Sequence, residues 1–153
     1  MSFDPADTGG GAPSPGKGLG VGPGAGIGAG RWIIALAAVS GLLAVGLGAY
    51  GAHGLAAPEE ILRQFRTANQ YHMWHTISLF GAGLFLARIG RGRGQRPALL
   101  AAVGFVLGIV LFCGSLYLAT ALGIHTFTPL APWGGMAFMG GWGALAVAAL
   151  RAA

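Results

Sequence analysis

Residues 32–52 read WIIALAAVSGLLAVGLGAYGA, twenty-one positions without a charge. At about 1.5 Å of rise per residue, a helix of this length covers the roughly 30 Å hydrocarbon core of a bilayer. The run is longer than the about 7 to 15 apolar residues of a signal-peptide core, so it is expected to stay in the membrane as a span and not be cleaved.

The rest of the chain agrees with a membrane setting. Of 153 residues, 54% are hydrophobic and only 8% charged, against about 25% charged in an average soluble domain. That balance excludes a water-soluble globule. The net charge of +5 would suggest nucleic acid in a soluble protein, but here the arginines flank apolar runs. They read as topology signals and contacts to anionic lipid, and no nucleic-acid partner is expected.

On the amino-terminal side of the opening stretch, eleven of the 23 residues from Thr8 to Gly30 are glycine, interrupted by Pro13, Pro15 and Pro23. Such a segment cannot bury enough apolar surface to offset its ordering entropy, so residues 1–30 are expected to form a disordered tail. The membrane domain then covers 31–151. After span one (32–52) comes LAAPEEILRQFRTANQ, where Pro58, Glu59 and Glu60 suit a helix start and Glu59 with Arg63 an i,i+4 pair. This predicts a short amphipathic helix over 58–66 that lays Ile61, Leu62 and Phe65 on the membrane surface and runs on into, or bends toward, span two (69–87). Spans three and four are expected at 97–123 and 130–150. The predicted fold is therefore an all-α, integral membrane four-helix bundle with a glycine-rich tail.

The loops fix an orientation. RIGRGRGQRP carries Arg88, Arg91, Arg93 and Arg96, whereas IHTFTPLAP between spans three and four carries no Arg or Lys. The positive-inside rule puts the arginine loop and both termini in the cytoplasm. Lys17, Arg31, the loop arginines and Arg151 then lie inside, with Arg63 and Arg66 outside. Trp32, Trp74 and Trp133 near span ends fit an aromatic belt.

Lipid is as apolar as leucine, so helices in a bilayer associate through close backbone approach at small residues. Ser40, Ala44, Gly48 and Ala52 in span one, Gly104 and Gly108 in span three, and Gly140, Ala144 and Ala148 in span four supply such grooves. A compact bundle would use them, and so would a homo-oligomer or a membrane-protein partner.

All four histidines fall toward the outer face: His53, His72, His75 and His125. Tyr50, Asn69, Gln70, Tyr71 and Tyr117 share that half. His72 and His75 are three apart on one helix face, a half-site for a transition metal or haem iron that His53 or His125 would complete. The plainer reading is that these groups hydrogen-bond across helices, and no cofactor is assigned on the spacing alone. No Asp, Glu, Lys or Arg falls mid-span, which argues against a pump or ion-coupled transporter and leaves a small-solute channel or transporter as a further alternative. No carboxylate orients a histidine and Ser78 and Ser115 lack a nucleophile motif, so no enzyme activity is expected. The lone Cys113 reads as a small packing residue.

Four segments in order, GAYGAHGL (48–55), FRTANQYHMWHTISL (65–79), LFCGSLYLATALGI (111–124) and TPLAPWGGMAFMGGW (128–142), resemble domain of unknown function 423. This is a family of small multi-pass proteins of bacterial inner membranes, with relatives in eukaryotes. The resemblance covers about residues 33–150 and leaves out the glycine-rich tail. It implies a four-span protein of the inner membrane and carries no activity. The positions matching the family pattern are Gly51, His53, Tyr71, His72, His75, Gly114, Ser115, Tyr117, Pro129, Gly134 and Gly135. Cys113 stands where the pattern favours serine or another small residue.

Overall fold

A computed structural model describes residues 26–152. Its elements are α1 (Gly26–His53), α2 (Glu59–Ile89), α3 (Gln95–Gly108), a π-helical stretch (Ile109–Gly114), α4 (Ser115–Leu122), a 3₁₀ stretch (His125–Leu130) and α5 (Ala131–Ala152). Helix α3, the π stretch and α4 form one unbroken rod, so the chain is an all-α, four-helix membrane bundle. Three segments are long and apolar enough to cross a bilayer: Gly28–His53, Gln95–Leu122 and His125–Ala152. Helix α2 is longer, but its amino-terminal half is polar, and only its later part, ISLFGAGLFLA (77–87), reads as lipid-soluble.

That polarity has a place in the architecture. Helix α1 packs mainly on α2, α5 packs mainly on α3 and the π stretch, and α2 touches both pairs. The most polar helix is thus the central one. Its buried positions include Phe65, Ala68, His72, His75, Leu79, Ala82 and Leu86, alternating steps of three and four that make a continuous heptad seam. His72 and His75 occupy seam positions that lead to leucine and alanine further along.

Close approach is set by glycine. A Cβ on Gly83 would stand 2.9 Å from Ile34 Cγ1, and one on Gly104 would stand 2.9 Å from both Ala137 O and Gly141 Cα. Without a side chain at those points the backbones of α1 and α2, and of α3 and α5, come near enough for extensive van der Waals contact, the main attraction available between helices in lipid. Gly123, at φ 69°, ends α4 in the left-handed region, and the Ile124 N–H donates to Leu118 O at 3.0 Å.

Several expectations change. The tail expected over 1–30 falls mostly on residues 1–25, outside the described residues, but Gly26–Gly30 belong to α1. Gly30 is seated against Gly83 and Ala87 of α2, so packing holds in a helix a sequence that propensity disfavours. The amphipathic helix expected at 58–66 is the first part of α2, continuous with span two. Pro58 precedes the helix as its cap residue. Glu59 pairs with Arg66, at 2.9 Å, and not with Arg63. Phe65, expected on the membrane surface, is 1% exposed, because Gly51 of α1 leaves room for its ring and Tyr117 covers it at 5.0 Å between centroids. In α5 the packing glycines are Gly134 and Gly141, both buried, whereas the expected Gly140 faces outward into open space, and so does Gly135.

Candidate functional site

The buried polar residues of the described chain are His72, His75, Thr76, Ser115 and Thr120. Thr120 donates to Leu116 O and Ser115 to Phe112 O within their own helical rod, so their hydroxyls are satisfied locally. The other three sit on one stretch of α2 and reach across to neighbouring helices.

His72 faces α1 and α4. Its Nε2 lies 3.0 Å from Ser40 Oγ, which lies 2.6 Å from Thr76 Oγ1. Its Nδ1 lies 3.3 Å from Tyr117 Oη. Asn69, one turn earlier on α2, donates through Nδ2 to Ala44 O of α1 at 2.7 Å and to Tyr117 Oη at 3.2 Å. The chain of contacts Asn69–Tyr117–His72–Ser40–Thr76 therefore stitches α1, α2 and α4 together. Two hydrogen arrangements satisfy it. In one, Tyr117 O–H donates to His72 Nδ1 and His72 Nε2–H donates to Ser40. In the other, His72 Nδ1–H donates to Tyr117 and the Ser40 hydroxyl donates to Nε2.

His75 faces different neighbours, α3 and α5. Its Nδ1 is 2.8 Å from Tyr71 O, and a carbonyl only accepts, so Nδ1 carries the hydrogen. Its Nε2 then accepts from Trp142 Nε1, 3.4 Å away on α5. Both contacts select the neutral Nδ1–H tautomer. The imidazole is enclosed by Phe138, Phe105, Tyr71 and Trp142.

The structure thus separates what the spacing joined. His72 and His75 are neighbours on α2 but their rings bond to different helices, and each ring nitrogen has a protein group within hydrogen-bonding distance. His53, at the end of α1, and His125, in the 3₁₀ stretch, are both exposed. Among the described residues no three His, Cys, Asp or Glu side chains are grouped to hold a metal ion. The groups that spacing did not single out are Thr76, Phe138 and Trp142, while it marks Ser40 only as a small packing residue. The heptad phase running through Phe65 and Leu79 carries the signal that His72 and His75 face the interior.

Beside His72 and Tyr117 lies a cavity of about 740 Å³ between α1 and α4, walled by Leu43, Leu47, Leu118 and Phe127 among other apolar residues. Toward the arginine loop the interior becomes wholly apolar: Leu79, Ala82 and Leu86 of α2 meet Ala98, Ala101, Phe105 and Ala148. The polar network does not continue through that half.

Residues 47–135, which include every member of the network except Ser40, Ala44 and Trp142, match the family described as protein of unknown function (DUF423). The chain belongs to that family. Relatives of the DUF423 chain include the UPF0382 membrane protein YwdK of Bacillus subtilis, 42% identical over 122 residues, covering 77% of this chain and 95% of the relative. The UPF0382 inner membrane protein YgdD of Escherichia coli K12 is 32% identical over 123 residues, covering 79% and 91%. A UPF0382 membrane protein of Staphylococcus epidermidis is 35% identical over 122 residues, covering 77% and 94%. No solved structure matches the chain. The similarity agrees with the fold and with a membrane location, and assigns no activity.

Proposed function

We propose that this DUF423 chain is a non-enzymatic structural or accessory component of the bacterial inner membrane, with the arginine loop and both termini on the cytoplasmic side. The observation that carries the reading is the use of the buried histidines. All four ring nitrogens of His72 and His75 engage groups of the protein itself, so these two buried side chains are used to hold the bundle together and neither presents an unpaired ring nitrogen. The apolar interior between this network and the arginine loop argues against a solute path across the bundle. The inner-membrane placement draws on the name of the Escherichia coli relative, and the orientation draws on the arginine asymmetry of the loops.

An accessory component acts through a partner, and α1 offers a surface for one: it packs mainly on α2, leaving Val39, Leu42 and Val45 exposed. The test is photo-crosslinking in cells from Leu42 of α1 and Met139 of α5. A discrete adduct with one membrane protein, or with a second copy of this chain, supports the reading. A chain that yields lipid adducts alone at both positions, and that is monomeric after mild extraction, overturns the partner role.

A further inference from the structure

At the end of the bundle opposite the histidines, the loop after α2 folds against the carboxyl end of α5. A Cβ on Gly94 would stand 2.8 Å from Ala148 O and 3.2 Å from Ala152 Cβ. This contact brings Arg93 of the loop beside Arg151 of α5, and with Arg88 of α2 they line one cleft of about 590 Å³. Helices α2 and α5 both end here, and their carbonyl ends account for a cation in each last turn, Arg88 and Arg151. They do not account for Arg93, which is outside any helix. The acidic side chains among the described residues are Glu59 and Glu60, at the start of α2 and so at the other end of that 31-residue helix. Three like charges around one cleft repel unless an anion lies among them.

We propose that this cleft is a binding site for the phosphodiester headgroup of an anionic membrane lipid. The cleft lies at the ends of the apolar spans, where headgroups lie, and arginine forks match phosphate oxygens bidentately. Half-buried Ile89 supplies an apolar wall of the cleft. Basic pockets between membrane helices recognise lipid headgroups in this way.

The experiment is native mass spectrometry of the full chain released from mixed micelles of phosphatidylglycerol and phosphatidylcholine, with inorganic phosphate alone as a second arm. The expected result is selective retention of phosphatidylglycerol. The Arg93→Gln/Arg151→Gln double variant should lower it about tenfold, and Arg91→Gln/Arg96→Gln, on arginines that do not line the cleft, should lower it less. All of these side chains are exposed, so thermal stability in phosphatidylcholine alone should match that of the unaltered chain. Equal retention of the two lipids, or an unchanged preference in the Arg93/Arg151 variant, overturns the site. Saturable binding of inorganic phosphate that displaces the lipid shows a soluble anion to be the ligand and overturns the lipid assignment.

Discussion

The imidazole of His75 lies on the phenyl ring of Phe138, with ring centroids 3.5 Å apart and planes 15° from parallel. Helices α2 and α5 have few other contacts, so this stack and the adjoining Trp142 bond are the main direct tie between α2 and α5. Replacing His75 by Ala removes the stack and leaves the Trp142 N–H without its acceptor. The expected loss is about 1–2 kcal/mol, and His75→Phe, which keeps a ring on Phe138, should recover part of it. Unfolding by titrated sodium dodecyl sulfate in mixed micelles measures both. An Ala variant as stable as the unaltered chain would show that the stack contributes nothing.

Asn69 and Tyr117 form one of the side-chain links between α2 and α4. A double-mutant cycle with Asn69→Leu and Tyr117→Phe should return a coupling of about 0.5–1 kcal/mol, the scale of interhelical hydrogen bonds in membrane bundles. Strict additivity would mean that the two side chains act independently.

Gly134 and Gly140, six residues apart in α5, should respond in opposite ways. A side chain at Gly134 would run into the backbone and Cβ of Phe112, and Gly134→Leu should cost about 3 kcal/mol or prevent assembly. Gly140→Leu enters open space and should fall within about 0.5 kcal/mol of the starting stability. The same unfolding titration reads both, and equal sensitivity would contradict the observed face of α5.

Metal should not bind stoichiometrically. Coordination by either ring would displace a hydrogen-bond partner, Ser40 or Tyr117 at His72 and Trp142 or the Tyr71 carbonyl at His75. Protein stripped with chelator and supplied with zinc is expected to retain well under one equivalent, with an unchanged melting temperature. One equivalent held by the unaltered chain and lost in His72→Ala/His75→Ala would reinstate a metal site.

Topology is the remaining expectation. Reporters inserted after Gly92 and after Pro129 should score on opposite sides of the membrane, the first cytoplasmic. A cytoplasmic reporter at Pro129 would undo the shared outer location of the histidines.

Much of the fold was legible in the residues because a bilayer imposes a coarse rule: a charge-free run of about 20 residues must satisfy its backbone internally and so becomes a helix. The run 32–52, the arginine loop and the small residues of spans three and four were sufficient for a four-helix bundle. The different partners of His72 and His75 were not legible for a related reason. Spacing of three places two side chains on one side of a helix, but it does not say that different neighbours flank that side. The choice of Gly140 over Gly141 shows the same limit, since in a glycine-rich span a one-residue change turns the groove by about 100°.

What the sequence alone determined is the membrane setting, the number of helices and the residue types that bring them close, because these follow from solvation and backbone hydrogen bonding, which act locally. What only the tertiary structure decided is that the most polar helix stands at the centre. That arrangement turns His72 toward Ser40 and Tyr117, and His75 toward Phe138 and Trp142, and it brings Arg93 and Arg151 to one cleft. Those relationships depend on the relative rotation of helices, which is fixed by interdigitation across interfaces between residues distant in sequence.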